Sequence, residues 1–134
     1  MKQKIKYCKN CGKELNEKRK TYCDNKCQKE FEYQQYIQRW KDGLENGVRG
    51  EYQVSGHIRR YLFEKYNNKC AICGWSQINL WTNSLPLEVH HIDGNYINNE
   101  ESNLTLLCPN CHSLTDTYKS ANTRGRIGRK KYSN

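Results

Sequence analysis

Apolar residues recur at helical spacing between Asp24 and Lys41, where Phe31, Tyr33, Tyr36, Ile37 and Trp40 fall mostly on one face. The spacing predicts a helix, stopped by Gly43. A second helix is expected from about Ser55 to Tyr66, because Ser55 can cap it and Ile58, Leu62 and Tyr66 repeat every four residues. Between the two, the stretch 43–56 holds four of the nine glycines and reads as a linker or extended loop. Leu85 to Ile92 reads as a strand, with Asp93-Gly94-Asn95 as a turn behind it and Leu104 to Leu107 as a short second strand. Pro109 suits the first turn of a closing helix that runs towards Tyr118. Residues 119–134 are rich in Gly, Lys, Arg, Ser and Asn and are expected to be disordered. The expected class is a small α+β protein.

Composition adds a difficulty. Hydrophobic residues make up 35% of the 134, and mean hydropathy is −1.10. So polar a chain cannot build a generous core, and small domains bury a low fraction of their surface. The eight cysteines are the obvious other source of stability, through disulfides or metal. The Met-Lys-Gln-Lys-Ile-Lys start has no apolar stretch behind its lysines, and no apolar run approaches a membrane span. A cytoplasmic location is expected, where thiols stay free or bind metal.

The cysteine spacing points to metal. Cys70-x2-Cys73 and Cys108-x2-Cys111 are two thiolate hooks, which together supply the four ligands of a closed structural zinc site. Cys8-x2-Cys11 and Cys23-x3-Cys27 form a second set, for a second structural zinc. Disulfides or free thiols are the alternative for the Cys70–Cys111 set, and the Cys8–Cys27 module reads as a nucleic-acid grip or merely a cap. The Cys8–Cys27 set divides off an N-terminal zinc knuckle and helix at 1–42, followed by the 43–56 linker, a domain at 57–118 and a basic tail at 119–134.

Charge is uneven. The net +9 arises from +6 over residues 1–43, −3 over 44–118 and +6 over 119–134. Basic ends suit a polyanion such as nucleic acid, although solvated tails would look the same. Arg59, Arg60, Arg124, Arg126, Arg129, Lys130 and Lys131 are candidate phosphate contacts, with the lysines of the first segment. Trp75 and Trp81 flank the strand region; they can stack on bases, but burial in a tiny core is the stronger expectation.

Three of the four histidines lie near the hooks. His90 and His91 are adjacent on the expected strand and so point to opposite faces. His112 follows Cys111 in the first turn of the closing helix, and Asp116 falls four residues later on the same helical face. A single histidine reads most simply as a surface residue or an extra zinc ligand. A His-His pair, a turn and a Cys-Cys-His run argue together for a site. His57 has no such context and reads as a helix-start residue.

Leu87-Glu88-Val89-His90-His91-Ile92-Asp93-Gly94-Asn95, then Glu101-Ser102-Asn103-Leu104, then Leu107-Cys108-Pro109-Asn110-Cys111-His112, resemble the HNH endonuclease signature. The resemblance covers about half the chain, from the helix near His57 to Tyr118. With its paired hooks and basic tail, the sequence is similar to small phage-encoded HNH proteins, some of which carry an amino-terminal zinc knuckle. The resemblance implies a ββα-metal, treble-clef-like core: two antiparallel strands and a helix around one catalytic divalent cation, Mg2+ or another metal. It makes His91 the general base, and His90 and His112 metal ligands. Asn103 becomes the residue that holds the connecting loop through backbone hydrogen bonds and so orients the base. Glu88 matches a glutamate that some members, including colicin nucleases, place two residues before the pair. Some relatives have a further histidine where Asp116 stands; an aspartate there either ligates the cation or faces solvent.

The expected function is therefore metal-dependent hydrolysis of DNA, with modest sequence specificity. A zinc-stabilised nucleic-acid-binding protein without catalysis, a nuclease acting mainly on RNA, and an accessory role such as phage DNA packaging remain as alternatives. Oligomeric state is left open.

Overall fold

The computed structural model describes residues 4–19 and 21–119. The chain divides into two compact units, residues 1–45 and 46–134.

In the first unit, a turn carries the first cysteine pair: Cys8 N–H donates to the Lys13 carbonyl at 2.8 Å, and Gly12 N–H returns to the Cys8 carbonyl at 2.9 Å. Helix α1 follows, Asn25–Lys41, capped by the Asp24 carboxylate, which accepts the Cys27 N–H at 2.7 Å. Its buried residues are Tyr33, Ile37 and Trp40, three of the five expected on the apolar face. At its end, Leu44 N–H bonds the Arg39 carbonyl at 2.8 Å and Gly43 N–H bonds that of Trp40 at 3.0 Å, which satisfies carbonyls the helix leaves open.

The second unit begins inside the expected linker. Strands β1 (Val48–Arg49) and β2 (Gln53–Val54) form a small antiparallel hairpin, so that 46–56 is structured chain and part of this unit. Helix α2, Gly56–Lys65, is capped by Ser55, whose hydroxyl accepts the Ile58 N–H at 3.2 Å. Strand β3 covers only Glu88–His91 of the longer strand expected. Pro86 has no N–H for a ladder, and Leu87 N–H turns back to the Leu85 carbonyl at 2.8 Å, so pairing starts after it. Strand β4, Leu104–Leu107, pairs antiparallel with β3, placing Glu88 opposite Leu107 and His91 opposite Leu104. A single 3-10 turn, Glu101–Asn103, leads into β4, and the short helix α3, Pro109–Ser113, follows it.

Alternation along β3 sets Glu88 and His90 on one face of this two-stranded sheet and Val89 and His91 on the other. Helix α2 packs on β4, and α3 packs on both strands. The core is small: Leu87, Leu106 and Leu107 cluster with Cys70 and Cys108, and Phe63, Tyr66, Trp75, Leu85 and Val89 pack around them. Two cysteines of the Cys70–Cys111 set thus double as core residues. The knuckle is tied to the sheet directly, because Ala71 N–H donates to the Leu106 carbonyl at 2.8 Å. The Tyr61 hydroxyl and the Lys65 ammonium both reach the Glu101 carboxylate, at 2.7 and 3.3 Å, and fix the 3-10 turn against α2. No helix among the described residues is long and apolar enough to cross a membrane.

Gly47 has φ +72, and a methyl group on it would lie 2.6 Å from Ile58 Cδ1 and 3.0 Å from Asn99 Cβ. Gly50 has φ +64 with open space around it. Gly50→Ala should therefore cost only the backbone strain of about 1 kcal/mol, and Gly47→Ala roughly 2 kcal/mol or more, since its contacts must also shift. Urea denaturation of both variants checks this; equal losses would remove the packing role given to Gly47.

Candidate metal and histidine site

The two cysteine sets converge as their spacing suggested. Within each set, Cys8, Cys11, Cys23 and Cys27 or Cys70, Cys73, Cys108 and Cys111, all sulfurs lie within 4.8 Å of one another. Sulfur pairs stand 3.7 Å apart for Cys73 and Cys108, 3.6 Å for Cys11 and Cys23, and 3.4 Å for Cys23 and Cys27. Thiolates about 2.3 Å from one tetrahedral ion would stand roughly 3.8 Å apart, so both donor sets fit zinc. Backbone N–H groups, from Cys11 first, hold the Cys8 thiol down at about 6. Cys70 is pushed up by burial, but the N–H groups of Cys73, Cys108 and Ile72 outweigh this and bring it to about 6. In the same clusters, Cys23 is pushed up to about 12, chiefly by its contact with Cys27, and Cys111 to about 12, chiefly by burial. Sulfurs this crowded cannot all ionise unaided; a cation among them removes that conflict.

The histidines divide between the two faces of the hairpin. His90 is buried, and its ring meets the edge of His112 with centroids 5.2 Å apart. Nδ1 of His112 is engaged by the Glu88 carboxylate, and Tyr118 packs on its ring at 5.3 Å. Burial first, and then the charges of His112 and His91, lower the His90 pKa, with Asp116 opposing. The ring therefore favours the neutral form, the form that ligates metal. Glu88, His90 and His112 thus share one side. Among the described residues, however, the two cysteine sets are the groups whose ligand atoms all lie within 4.8 Å; His90, His112 and Asp116 are not drawn that close.

On the other face, His91 is half-buried, and its Nε2 lies 2.7 Å from Asn99 Oδ1. Behind it, Asn103 ties the loop together. Its Oδ1 accepts the Asp93 N–H at 2.9 Å, and its Nδ2 donates to Asp93 Oδ1 at 2.9 Å and to the Asn98 carbonyl at 2.8 Å. The Asn103 carbonyl takes the Ile92 N–H at 2.9 Å. Asp93 also accepts from Asn95 N–H and Asn98 Nδ2. Burial pushes its carboxyl up, but the donors of Asn98, Asn95 and Asn103 prevail, and its pKa lies below the usual carboxylate value. Sequence reasoning passed over Asn98 and Asn99. They sit in a polar stretch, and only the folded loop singles them out.

The model of the HNH endonuclease family matches residues 70–116. This segment belongs to the HNH endonuclease family. A curated relative, H-N-H endonuclease F-TflIV of Escherichia phage T5, is 37% identical over 91 residues. The alignment takes in 66% of this chain and 39% of the relative, so the chain spans about two fifths of that protein's length. No solved structure matches the chain. The HNH window contains Cys70, Cys73, Cys108 and Cys111, strands β3 and β4, and α3, with His90, His91, Asn103, His112 and Asp116. It excludes Cys8, Cys11, Cys23 and Cys27, helix α2 and the β1–β2 hairpin.

Asp116 is not on the helical face of His112. Helix α3 stops at Ser113, because Leu114 N–H tightens to the Cys111 carbonyl and the Thr115 hydroxyl takes the His112 carbonyl at 2.9 Å. Asp116 lies exposed in the turn beyond. Trp75 packs against the core, whereas Trp81 is 97% exposed rather than buried. Asn79 Oδ1 accepts the Trp81 and Thr82 N–H groups, so Trp81 sits on an ordered turn that projects from the core. Arg59 donates to the Leu87 carbonyl at 3.2 Å and lies 4.8 Å over the Phe63 ring; Arg60 pairs with Glu64 at 2.8 Å. Both are engaged within α2 and its neighbours. His57 is an exposed residue of the first turn of α2. Arg124, Arg126, Arg129, Lys130 and Lys131 lie outside the described residues.

Replacing Asn103 by Ala removes both side-chain arms of the loop and strands the Asp93 N–H. A loss of roughly 2 to 3 kcal/mol is expected, since each abandoned polar group costs about 1 to 3. Thermal unfolding measures the loss, and hydrogen exchange at the Asp93 amide locates it; an amide as protected as in the wild type would contradict the role given to Asn103.

Proposed function

We propose that the chain is a metal-dependent endonuclease that hydrolyses phosphodiester bonds in DNA. One observation carries the reading: in the HNH segment, His90 and His112 converge on one face of the β3–β4 hairpin while His91 stands apart on the other. That separation suits a division between metal binding and proton transfer. His90 and His112 would hold a divalent cation, Mg2+ or another, within reach of Glu88, and Asp116 is near enough to bias the charge on His90. When bound, the cation supplies neutralisation of the phosphate and stabilisation of the departing 3′ oxygen. His91 takes the proton of a water placed in line with the scissile bond, as an imidazole can near neutral pH. The water oxygen bonds to phosphorus, and the P–O3′ bond breaks. Asn103 keeps the loop behind His91 in shape.

The two cysteine sets would each hold a structural zinc. The ion on Cys70, Cys73, Cys108 and Cys111 would join the knuckle to the start of α3, where Cys108 caps the helix. The grip on the polyanion is assigned mainly to the basic ends, because residues 44–118 are net −3. A chain acting in the cytoplasm of a bacterial host, encoded by a phage, agrees with the phage T5 relative.

A supercoiled-plasmid assay tests the core of the proposal. Wild type should nick or linearise DNA with a divalent cation, and His91→Ala should reduce the rate by about a hundredfold or more. Full cleavage by His91→Ala would end the base assignment, and cleavage of duplex RNA in preference to DNA would change the substrate. Brief chelation should stop cleavage and leave the circular dichroism spectrum intact, with activity returning on cation addition. Cys108→Ser should instead unfold the second unit, because structural zinc supplies folding energy. A folded, fully active Cys108→Ser protein would overturn the zinc assignment.

A further inference from the structure

Asn99 is bound on both arms of its amide. Nδ2 donates to the Asn46 carbonyl at 3.1 Å, and Oδ1 faces His91 Nε2 at 2.7 Å. A backbone carbonyl can only accept, so the arm that meets Asn46 must be the NH2 group. The oxygen then falls to His91 by exclusion, and an amide oxygen can only accept as well. His91 Nε2 must therefore carry the hydrogen. In a neutral imidazole this leaves Nδ1 with the free lone pair.

The amide has little freedom to turn over. Asn99 is 5% exposed. The Gly47 Cα side lies so close to it that a methyl group there would come within 3.0 Å of Asn99 Cβ. The Asn46–Gly47 backbone is held in turn: Ser55 N–H bonds the Gly47 carbonyl at 2.8 Å, Val48 pairs with Val54, and Val48 N–H bonds Asn46 Oδ1 at 3.0 Å. Asn103 makes no such contact with the ring; its bonds go to Asp93 and Asn98. The two asparagines thus do separate work, one shaping the loop and the other setting the ring.

We infer that Asn99, fixed by the Asn46 carbonyl, is the positioning residue of His91: it holds the imidazole with Nε2 protonated and presents Nδ1 as the proton acceptor. The inference rests on the reading of His91 as general base. It also gives the β1–β2 hairpin, outside the family match, a part in the site.

Imidazole 15N shifts of the full-length, zinc-loaded protein, read above the titration range of histidine, test the tautomer without any cleavage. His91 should show a protonated Nε2 and a bare Nδ1. Asn99→Ala should lose this preference and lower kcat roughly ten- to a hundredfold, with KM held within about twofold. Asn99→Asp removes the same donor to Asn46 but keeps an oxygen for His91. It should share the drop in thermal stability, yet retain the Nε2–H tautomer and most of kcat. A wild-type ring protonated on Nδ1, an unchanged tautomer in Asn99→Ala, or equal losses of kcat in the two variants would each overturn the inference. The NMR arm reads the resting ring and the His91→Ala plasmid assay reads its use, so failure of the positioning role and failure of the base assignment are seen separately.

Discussion

Four sulfurs drawn within 4.8 Å of one another govern the second unit. Its apolar means are slight, since the core cluster is three leucines and two of those cysteines with partly buried neighbours around them. The hooks come from either side of the hairpin in sequence, one before β3 and one after β4. Joining them closes the chain around the strands and sets the direction in which α3 leaves the sheet. His112 has its position because Cys111 precedes it, and Cys111 has its own because the knuckle does. The hydrogen bond from Ala71 to Leu106 carries the same tie through the backbone.

On that frame a four-residue strand keeps two adjacent histidines apart. Neighbouring positions on a pleated strand cannot face the same way, so His90 and His91 receive different surroundings at no cost in chain length. His90 faces α3, where burial and other imidazoles favour the uncharged ring. His91 faces a loop built of amides. A slip of one residue in the register with β4 would exchange the two environments.

Much of this arrangement was legible in the sequence. Helix α1, helix α2 and strand β4 follow periodicity and capping signals that act over a few residues, as at Asp24 and Ser55. The cysteine sets were readable because ligand spacing is a local constraint with few solutions. What escaped depends on contacts distant in sequence or on the competition at an element's end. Nothing in the run Asn98-Asn99 announces that one amide braces Asp93 and the other His91. The glycines of 43–56 suggested slack, but Gly47 is a point of close packing. Hydroxyl and N–H groups reaching back to α3 carbonyls ended that helix before Asp116, which periodicity alone would have extended. Trp81 was expected inside because tryptophan prefers burial, and the turn at Asn79 holds it outside.

The tether from Asn99 to the Asn46 carbonyl bears on what can be moved between proteins as a module. The family match opens at Cys70, yet the carbonyl that holds the Asn99 amide lies upstream of helix α2. A cassette cut at Cys70 would carry the four clustered cysteines and the three histidines and leave behind the anchor of the Asn99 amide. A graft that begins at Asn46 would carry that anchor, with its hairpin, into a new host chain.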